Sequence, residues 1–286
     1  MSEGEGMSKV VVVTDSSATV PADLVQELGI RVVPILLNVN GQTHRDGIDI
    51  TSAEVYRWLR ASKHLPTTAA PSVGDFLRVY AAAAQQASGI VSIHLSPDLS
   101  ATYTVASTSS QLVDGTPIRL INSQSVAMGQ GFVVLEAARA AASGAGLDTV
   151  VARAEQVSRK VHVYATLDTL EYLRRGGRIG GAAALAGTML RIKPMVYVSG
   201  GTVSAFAKPR TMSRAIQLML EEMARKAEDL PLHVSVLHAD APDEAKELRQ
   251  RVESSFNCGE LYVTEYTPVM GVHAGPGVLG VAFFAE

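Results

Sequence analysis

Short apolar runs alternate with capped helical segments along this chain, and that alternation limits the folds open to it. Residues 9–15, KVVVVTD, are almost wholly β-branched, which is typical of a strand buried on both faces. Two later segments begin at Thr51 and Ser72, with Glu54 and Asp75 at the spacing of a capping box. The alternation predicts a mostly parallel sheet flanked by helices.

The second half of the chain differs from the first. Two strand-like runs flank Gly200 and Gly201, which is a hairpin signal, and a long amphipathic helix follows. We therefore predict two α/β domains, an N-terminal domain over residues 8–160 and a smaller mixed-sheet domain over residues 161–286. Residues 1–7 are predicted to form a tail. No Pro/Ser linker separates the halves, so they should pack tightly.

Composition and charge exclude several classes of protein. The net charge is −3 and the pI is near 6.2, which argues against a nucleic-acid surface. Cys258 is the single cysteine, so the chain can form no internal disulfide and fits a reducing compartment. We predict a cytoplasmic protein with no integral membrane segment, and transient membrane contact stays open. The seven histidines show no metal-ligand spacing, so no metal site is predicted.

Four stretches carry small hydroxyl residues next to predicted strands. Ligand crevices in open α/β sheets lie outside the carboxyl ends of strands, and hydroxyls with backbone N–H groups bind anions there. For any single stretch, helix capping is the simpler interpretation. Four such turns on one sheet edge favour an anion or carboxylate site. The stretches are residues 14–17, 66–72, 94–103 and 122–131.

Two glycine-containing stretches add candidate residues. His273 lies in GVHAGPGVLG, where glycine lets the backbone approach a ligand or take a positive φ. We predict a loop that wraps a ligand, with His273 reaching in. Residues Arg174–Arg178 form a basic, flexible loop between helices in this interpretation. They fit an anion or partner contact and, equally well, a helix C-terminus with favourable cations and a glycine stop.

Six motifs occur in a fixed order from Val10 onward, over nearly the whole chain. They are TDSSATVP, TTAAPSVGDF, LSPDLSATYTVA, LDTLEYLRRGGRIGG, IKPMVYVSGGTV followed by KPR, and GVHAGPGVLG. In this combination the chain resembles the DegV family of bacterial fatty-acid-binding proteins, which includes the fatty-acid-carrying subunit of fatty acid kinase. The resemblance implies two α/β domains with one acyl chain buried between or beneath them.

The resemblance also implies a site and a partner. By motif position, Thr68, Ser96 and His273 hold the carboxylate of a long-chain fatty acid. The protein would have no catalytic residue and no cofactor. A separate ATP-binding fatty acid kinase subunit would phosphorylate the bound ligand to an acyl phosphate, with Arg210 contacting that subunit. Asn122 stands where the family often has Asp, which removes a charge near the crevice.

Two other classes of function stay open on the residues alone. A serine-dependent acyl hydrolase or transferase would use Ser96 or Ser100 with His273, and it also needs an orienting group and an oxyanion hole. A phosphate or sugar-phosphate binder would use the hydroxyl turns and Arg178. That binder predicts a polar pocket, whereas a fatty acid requires an apolar tunnel.

Overall fold

The computed structural model describes residues 9–62, 64–185 and 192–286. The predicted tail at residues 1–7 lies outside the described residues. Thirteen strands are found in the described ranges. They are β1 (Val10–Asp15), β2 (Arg31–Val33), β3 (Leu36–Val39), β4 (Gln42–Arg45), β5 (Thr67–Ala69), β6 (Gly89–His94), β7 (Ile118–Asn122), β8 (His162–Thr166), β9 (Met195–Ser199), β10 (Thr202–Ala207), β11 (Leu232–Ala239), β12 (Cys258–Glu265) and β13 (Val278–Ala285).

Ten α-helices connect these strands in the same ranges, and short 3-10 turns occur at Ser16–Ala18 and Gly180–Leu185. The predicted capping boxes at Thr51 and Ser72 are both formed. The helices are α1 (Ala22–Glu27), α2 (Ser52–Ala61), α3 (Val73–Ala84), α4 (Thr102–Ser110), α5 (Met128–Ala142), α6 (Leu147–Lys160), α7 (Glu171–Arg175), α8 (Met212–Ala227), α9 (Pro242–Ser255) and α10 (Pro268–Ala274).

The first half forms a four-stranded sheet of order β2-β1-β6-β7, and every pairing in it is parallel. Val10 and Val12 of β1 join one core cluster, while Val11 and Val13 join another on the opposite face. Helices α3 and α4 cover one face, and α5 and α6 cover the other. Burial on both faces explains the continuous valine run and confirms the predicted parallel sheet.

The second half forms a six-stranded mixed sheet of order β10-β9-β8-β13-β11-β12, in which only β11 and β12 pair in parallel. Helices α8 and α9 pack on its outer face. The predicted turn between β9 and β10 is confirmed, because Gly200 and Gly201 have φ values of 57° and 79°. Two successive positive φ values are the requirement of a two-residue type I′ hairpin.

Helix α5 lies between the two sheets and contacts β1 on one side and β13 on the other. Its residues from Met128 to Ala138 are buried, as expected of a helix enclosed on all sides. The two halves therefore share one core and pack tightly, as predicted. The chain passes from one sheet to the other between Lys160 and His162, and the domain boundary near Lys160 stays a prediction.

A third, small antiparallel sheet has the order β4-β3-β5. Its hairpin turns at Asn40 and Gly41, as predicted. Residues 66–72 were predicted to share one sheet edge with the other three hydroxyl stretches, and this is wrong. Thr67–Ala69 is strand β5, which pairs with β3. The other three stretches follow β1, β6 and β7 at the carboxyl edge of the parallel sheet.

A network of charged side chains ties α5 and α6 to the six-stranded sheet. Glu136 pairs with Arg139 and Arg153, and Arg139 also pairs with Glu260 at 2.6 Å. Burial opposes ionisation of Glu260, but hydrogen bonds from His233, Arg139 and a tyrosine outweigh it and lower the Glu260 pKa to about 2. Glu136, His233 and Glu260 each offer an atom that could bind a metal ion, and these atoms lie within 4.8 Å of one another. Arginine already pairs with both carboxylates, so the three residues are part of the ion-pair network. The network links helix α5 of the first half to strand β12 of the second.

None of the described helices has both the length and the apolar character needed to cross a bilayer.

Candidate functional site

A cavity of about 270 Å³ lies between the inner face of the six-stranded sheet and the carboxyl-edge turns of the parallel sheet. We call it the inner cavity. Strands β8, β9 and β10 form one wall, helix α10 forms a second, and the turns after β1 and β6 contribute to the rest. The lining is mainly aliphatic and includes Leu95, Leu99, Val126, Val163, Ala165 and Val198.

A second cavity of about 530 Å³, the outer cleft, adjoins the first. Its wall includes the polar and basic side chains of His64, Thr67 and Arg175. Three residues line both the inner cavity and the outer cleft, and we call them the junction: Thr68, Arg178 and His273. An apolar space therefore ends at a polar group of three side chains.

Thr68 and His273 are hydrogen-bonded to each other across 205 residues of sequence, with 2.8 Å between Oγ1 and Nε2. Thr68 is the central residue of β5. His273 was predicted to lie in a loop, which is wrong, because it occupies the last turn of α10. Burial, and secondly the charge of Arg178, lower the pKa of His273 to about 4. The imidazole is therefore neutral near pH 7.

The glycines around His273 allow helices to approach each other closely. A Cβ atom at Gly176, which follows α7, would lie 2.5 Å from Nδ1 of His273. Gly275 has a φ of 82°, and a Cβ atom there would lie 2.1 Å from the ring of Tyr172. The close contact between α10 and α7 therefore depends on these glycines. They set the position of the imidazole and do not form a loop around a ligand.

Arg178 brings a positive charge to the junction. Its Nε donates to the carbonyl of Leu99 at 2.9 Å, and its Nη1 donates to the carbonyl of Gly176 at 2.6 Å. No carboxylate among the described residues forms an ion pair with it. Arg174 and Arg175 were predicted to lie in the same loop, but they end α7 as C-terminal cations. The helix C-terminal interpretation is thus confirmed for Arg174 and Arg175, and an anion or partner contact by the stretch stays a prediction.

Ser96 follows β6 and is 1% exposed. Its Oγ accepts a hydrogen bond from the backbone N–H of Asp98 at 3.3 Å. Gly201 of the β9–β10 turn lies against it, where a Cβ atom would come within 2.4 Å of Oγ. The wall of the inner cavity, as far as the chain is described, includes Leu95 and Ser100 but not Ser96. The carboxylate role of Ser96 stays a prediction.

A buried polar chain that the sequence analysis missed lies at the carboxyl ends of β1 and β6. Nδ1 of His94 lies 2.7 Å from Oδ2 of Asp15, and Nε2 lies 2.7 Å from Oγ of Ser92. Ser17, on the wall of the inner cavity, also bonds to Asp15. The order Ser–His–Asp is that of a hydrolase triad. However, Ser92 is fully buried and bonded to Tyr80, so no substrate could reach it.

The fold and the junction define an α/β protein with an apolar cavity that ends at a hydroxyl, an imidazole and a guanidinium group. The chain belongs to the DegV family. The model of that family, described as "Uncharacterised protein, DegV family", matches residues 9–286.

Relatives match this chain over almost its whole length. A DegV domain-containing protein of Streptomyces coelicolor is 36% identical over 274 residues, covering 95% of this chain and 97% of that protein. The structure of a fatty-acid-binding DegV family protein from Thermus thermophilus is 35% identical with a TM-score of 0.93, covering 97% and 100%. Bacillus subtilis DegV, a fatty acid binding protein, is 28% identical with a TM-score of 0.90, covering 98% and 100%.

Proposed function

We propose that this protein binds a long-chain fatty acid, with the acyl chain in the inner cavity and the carboxylate at the junction. The observation that carries the proposal is an aliphatic cavity ending at the Thr68–His273 pair beside Arg178. Each buried CH₂ group contributes about 0.8 kcal/mol to binding. The similar Thermus and Bacillus proteins are fatty-acid-binding proteins, which supports the same ligand class here.

A buried carboxylate needs hydrogen bonds or a charge partner, and the junction offers both. If Nε2 of neutral His273 donates to Oγ1 of Thr68, the threonine hydroxyl hydrogen is available to a ligand oxygen. Arg178 supplies a positive charge next to that hydroxyl. Neutral donors alone were expected at the carboxylate, so the arginine is an addition to the predicted set. Ser96 is the third predicted donor, and its contribution is tested below.

The hydrolase and phosphate-binder alternatives have less support. Neither Ser96 nor Ser100 is hydrogen-bonded to His273 in the described part of the chain, because Ser100 bonds to Thr102 and His273 bonds to Thr68. A serine nucleophile would need a general base within hydrogen-bond reach. The aliphatic wall of the inner cavity also fits a hydrocarbon better than a sugar phosphate.

We further propose that the carboxylate is presented through the outer cleft to an ATP-dependent kinase subunit. One carboxylate oxygen would bond to the γ-phosphorus of ATP as the bond from that phosphorus to ADP breaks, giving an acyl phosphate. The outer cleft supports this step because it reaches the junction and carries His64 and Arg175. Arg210, exposed just before α8, is the proposed contact with the kinase. In this scheme the protein carries the substrate and is not itself catalytic.

Mass spectrometry of the purified protein tests the ligand. Native spectra should show one bound molecule per chain, and extraction after denaturation should release a fatty acid. The variants Thr68→Val and His273→Ala should weaken binding of palmitate at least tenfold and leave binding of its methyl ester almost unchanged, since the ester lacks the anionic oxygen. Ser96→Ala shows whether that hydroxyl contributes as well. A protein that carries no lipid and takes up no palmitate would exclude the proposed ligand.

Acyl-phosphate formation tests the kinase partnership. The palmitate-loaded protein is incubated with ATP and an extract of its source cells, and acyl phosphate is trapped as the hydroxamate. The product should require ATP, the extract and this protein together. Thr68→Arg should retain palmitate but abolish the product, because a forked guanidinium covers the carboxylate oxygens. Arg210→Glu should retain palmitate and lose the product. Product formation without this protein, or at full rate with both variants, would exclude the scheme.

A further inference from the structure

Helix α10 forms a wall of the inner cavity and carries a junction residue. Val269, Met270, His273 and Ala274 all line the cavity. The helix has seven residues, and helices this short have little stability of their own. Its position therefore depends on contacts with the rest of the fold.

The N-terminus of α10 is capped by a residue far away in sequence. The backbone N–H of Val269 donates to Oδ1 of Asp46 at 2.9 Å, across 223 residues. Thr267 occupies the N-cap position and makes no side-chain capping bond. Asp46 follows β4, and its own N–H donates to the carbonyl of Ile35 at 2.9 Å. The cap thus connects α10 to the small antiparallel sheet that also supplies Thr68.

The environment of Asp46 is costly for a carboxylate. The residue is 3% exposed, and no cation in the described residues forms an ion pair with it. Oδ2 has no hydrogen-bond partner in the described part of the chain. Burial raises the pKa of Asp46, whereas the Ser16 hydroxyl and the hydrogen bond from the N–H of Val269 oppose that rise. The positive end of the helix dipole compensates part of the cost of burial.

Close contacts with α2 and with the end of α7 leave α10 little room to move. At Gly271 a Cβ atom would lie 2.7 Å from the ring of Tyr56 in α2, and at Gly176 it would lie 2.5 Å from His273 itself. A shift of α10 by about an ångström would therefore either open the 2.8 Å bond between His273 and Thr68 or create a clash. Asp46 is the side chain that caps the first turn of this helix in the described residues.

We propose that Asp46 is a positioning residue for the fatty-acid carboxylate: by capping α10 it fixes that helix and holds His273 within hydrogen-bond reach of Thr68. The effect on affinity rests on the proposed function, whereas the effect on the Thr68–His273 bond does not.

NMR of the imidazole group in the ligand-free protein tests the positioning directly. Asp46→Ala and Asp46→Leu are both made, because leucine fills the space of the carboxylate if the alanine variant does not fold. Both should move the His273 imidazole resonances toward those of Thr68→Val, in which the bond is absent. Asp46→Asn keeps an acceptor for Val269 and should resemble the wild type. The control is Asp49→Ala, which removes an exposed acid on the same turn that pairs with Arg45.

Fatty-acid affinity then tests whether Asp46 acts through His273. Asp46→Ala should weaken palmitate binding about five- to tenfold, if the stability that a helix cap usually contributes is lost from the binding-competent position of α10. The loss should nearly vanish in a His273→Ala background and for the methyl ester. Three results would overturn the proposal. They are an equal loss of affinity in the wild-type and His273→Ala backgrounds, unchanged imidazole resonances, and an Asp46→Asn variant as impaired as Asp46→Ala. If the wild type binds no palmitate, the proposed function fails, and the imidazole resonances still decide the role of Asp46.

Discussion

Ala165 offers a direct test of where the acyl chain lies. It is on the inner face of β8, is 6% exposed, and lines the inner cavity. Its neighbour Tyr164 joins the core cluster on the opposite face of the same sheet. A larger side chain at Ala165 therefore extends into the space that the acyl chain is proposed to fill.

The substitution Ala165→Leu adds three carbon atoms to the cavity wall. If they take the place of about three CH₂ groups of the ligand, and each buried group contributes about 0.8 kcal/mol, binding should weaken by about 2.4 kcal/mol. That loss corresponds to a Kd about 60-fold higher at 25 °C. The loss should be specific to chain length, because a fatty acid about three carbons shorter still fits the reduced cavity.

Calorimetric titration with saturated fatty acids of ten to eighteen carbons measures both effects. In the variant, the chain length that binds most tightly should decrease by about three carbons. The control is Ala215→Leu in α8, on the outer face of the six-stranded sheet, where overpacking should cost about 1–3 kcal/mol of stability. That control should lower the Tm without changing chain-length preference. Unchanged affinity and preference in Ala165→Leu would refute the placement of the chain.

Three further predictions concern the junction and the charged network. The pKa of His273 is about 4 in the folded protein, and its ordinary value of 6.5 applies to the unfolded chain, so the unfolded chain binds the extra proton between these pH values. The free energy of unfolding should therefore fall as pH drops from 6.5 to 4, and urea titrations of His273→Gln should show up to about 3 kcal/mol less of this dependence. Gly176→Ala should weaken palmitate binding at least tenfold, because its Cβ would lie 2.5 Å from the imidazole of His273. In Gly177→Ala the Cβ would have no atom within 4 Å, and the φ of 73° is strained for alanine, so this variant should lower only the Tm. Glu136→Ala should reduce the unfolding free energy by about 3 kcal/mol in urea titration and leave palmitate affinity unchanged.

Local patterns in the sequence predicted the elements better than their assembly. The two hairpins were predictable because positive φ values at Asn40 and at Gly200 depend on neighbouring residues alone. Strand β5 was missed because three residues carry no measurable periodicity. Helix α10 was missed because a seven-residue helix that begins at Pro268 and ends before Gly275 looks like a loop. Its burial between α2 and α7 stabilises it, and that information is not local.

The residues of the candidate site were only partly predictable from the sequence. Thr68 and His273 were predicted through the family resemblance, and their contact joins elements 205 residues apart. Arg178 was singled out only for the phosphate-binder alternative, because which cation of the stretch lines the cavity depends on where α7 ends. Asp46 lies in a polar stretch typical of an exposed turn, and no spacing signals its burial. Asn122, whose role was open, accepts a hydrogen bond from a backbone N–H two residues later, as a local turn does.

The charges at the junction favour the proposed carboxylate over a phosphate as the ligand group there. A buried imidazolium beside Arg178 would add like-charge repulsion to its desolvation cost, so His273 stays neutral and the junction carries one positive charge. One carboxylate balances that charge, whereas a phosphate dianion would leave a net negative charge in a largely apolar space. Two N–H groups of the guanidinium are already bound to the carbonyls of Leu99 and Gly176. These two bonds therefore hold Arg178 as a fixed positive charge, and in the proposed complex a carboxylate oxygen beside it would stay accessible from the outer cleft.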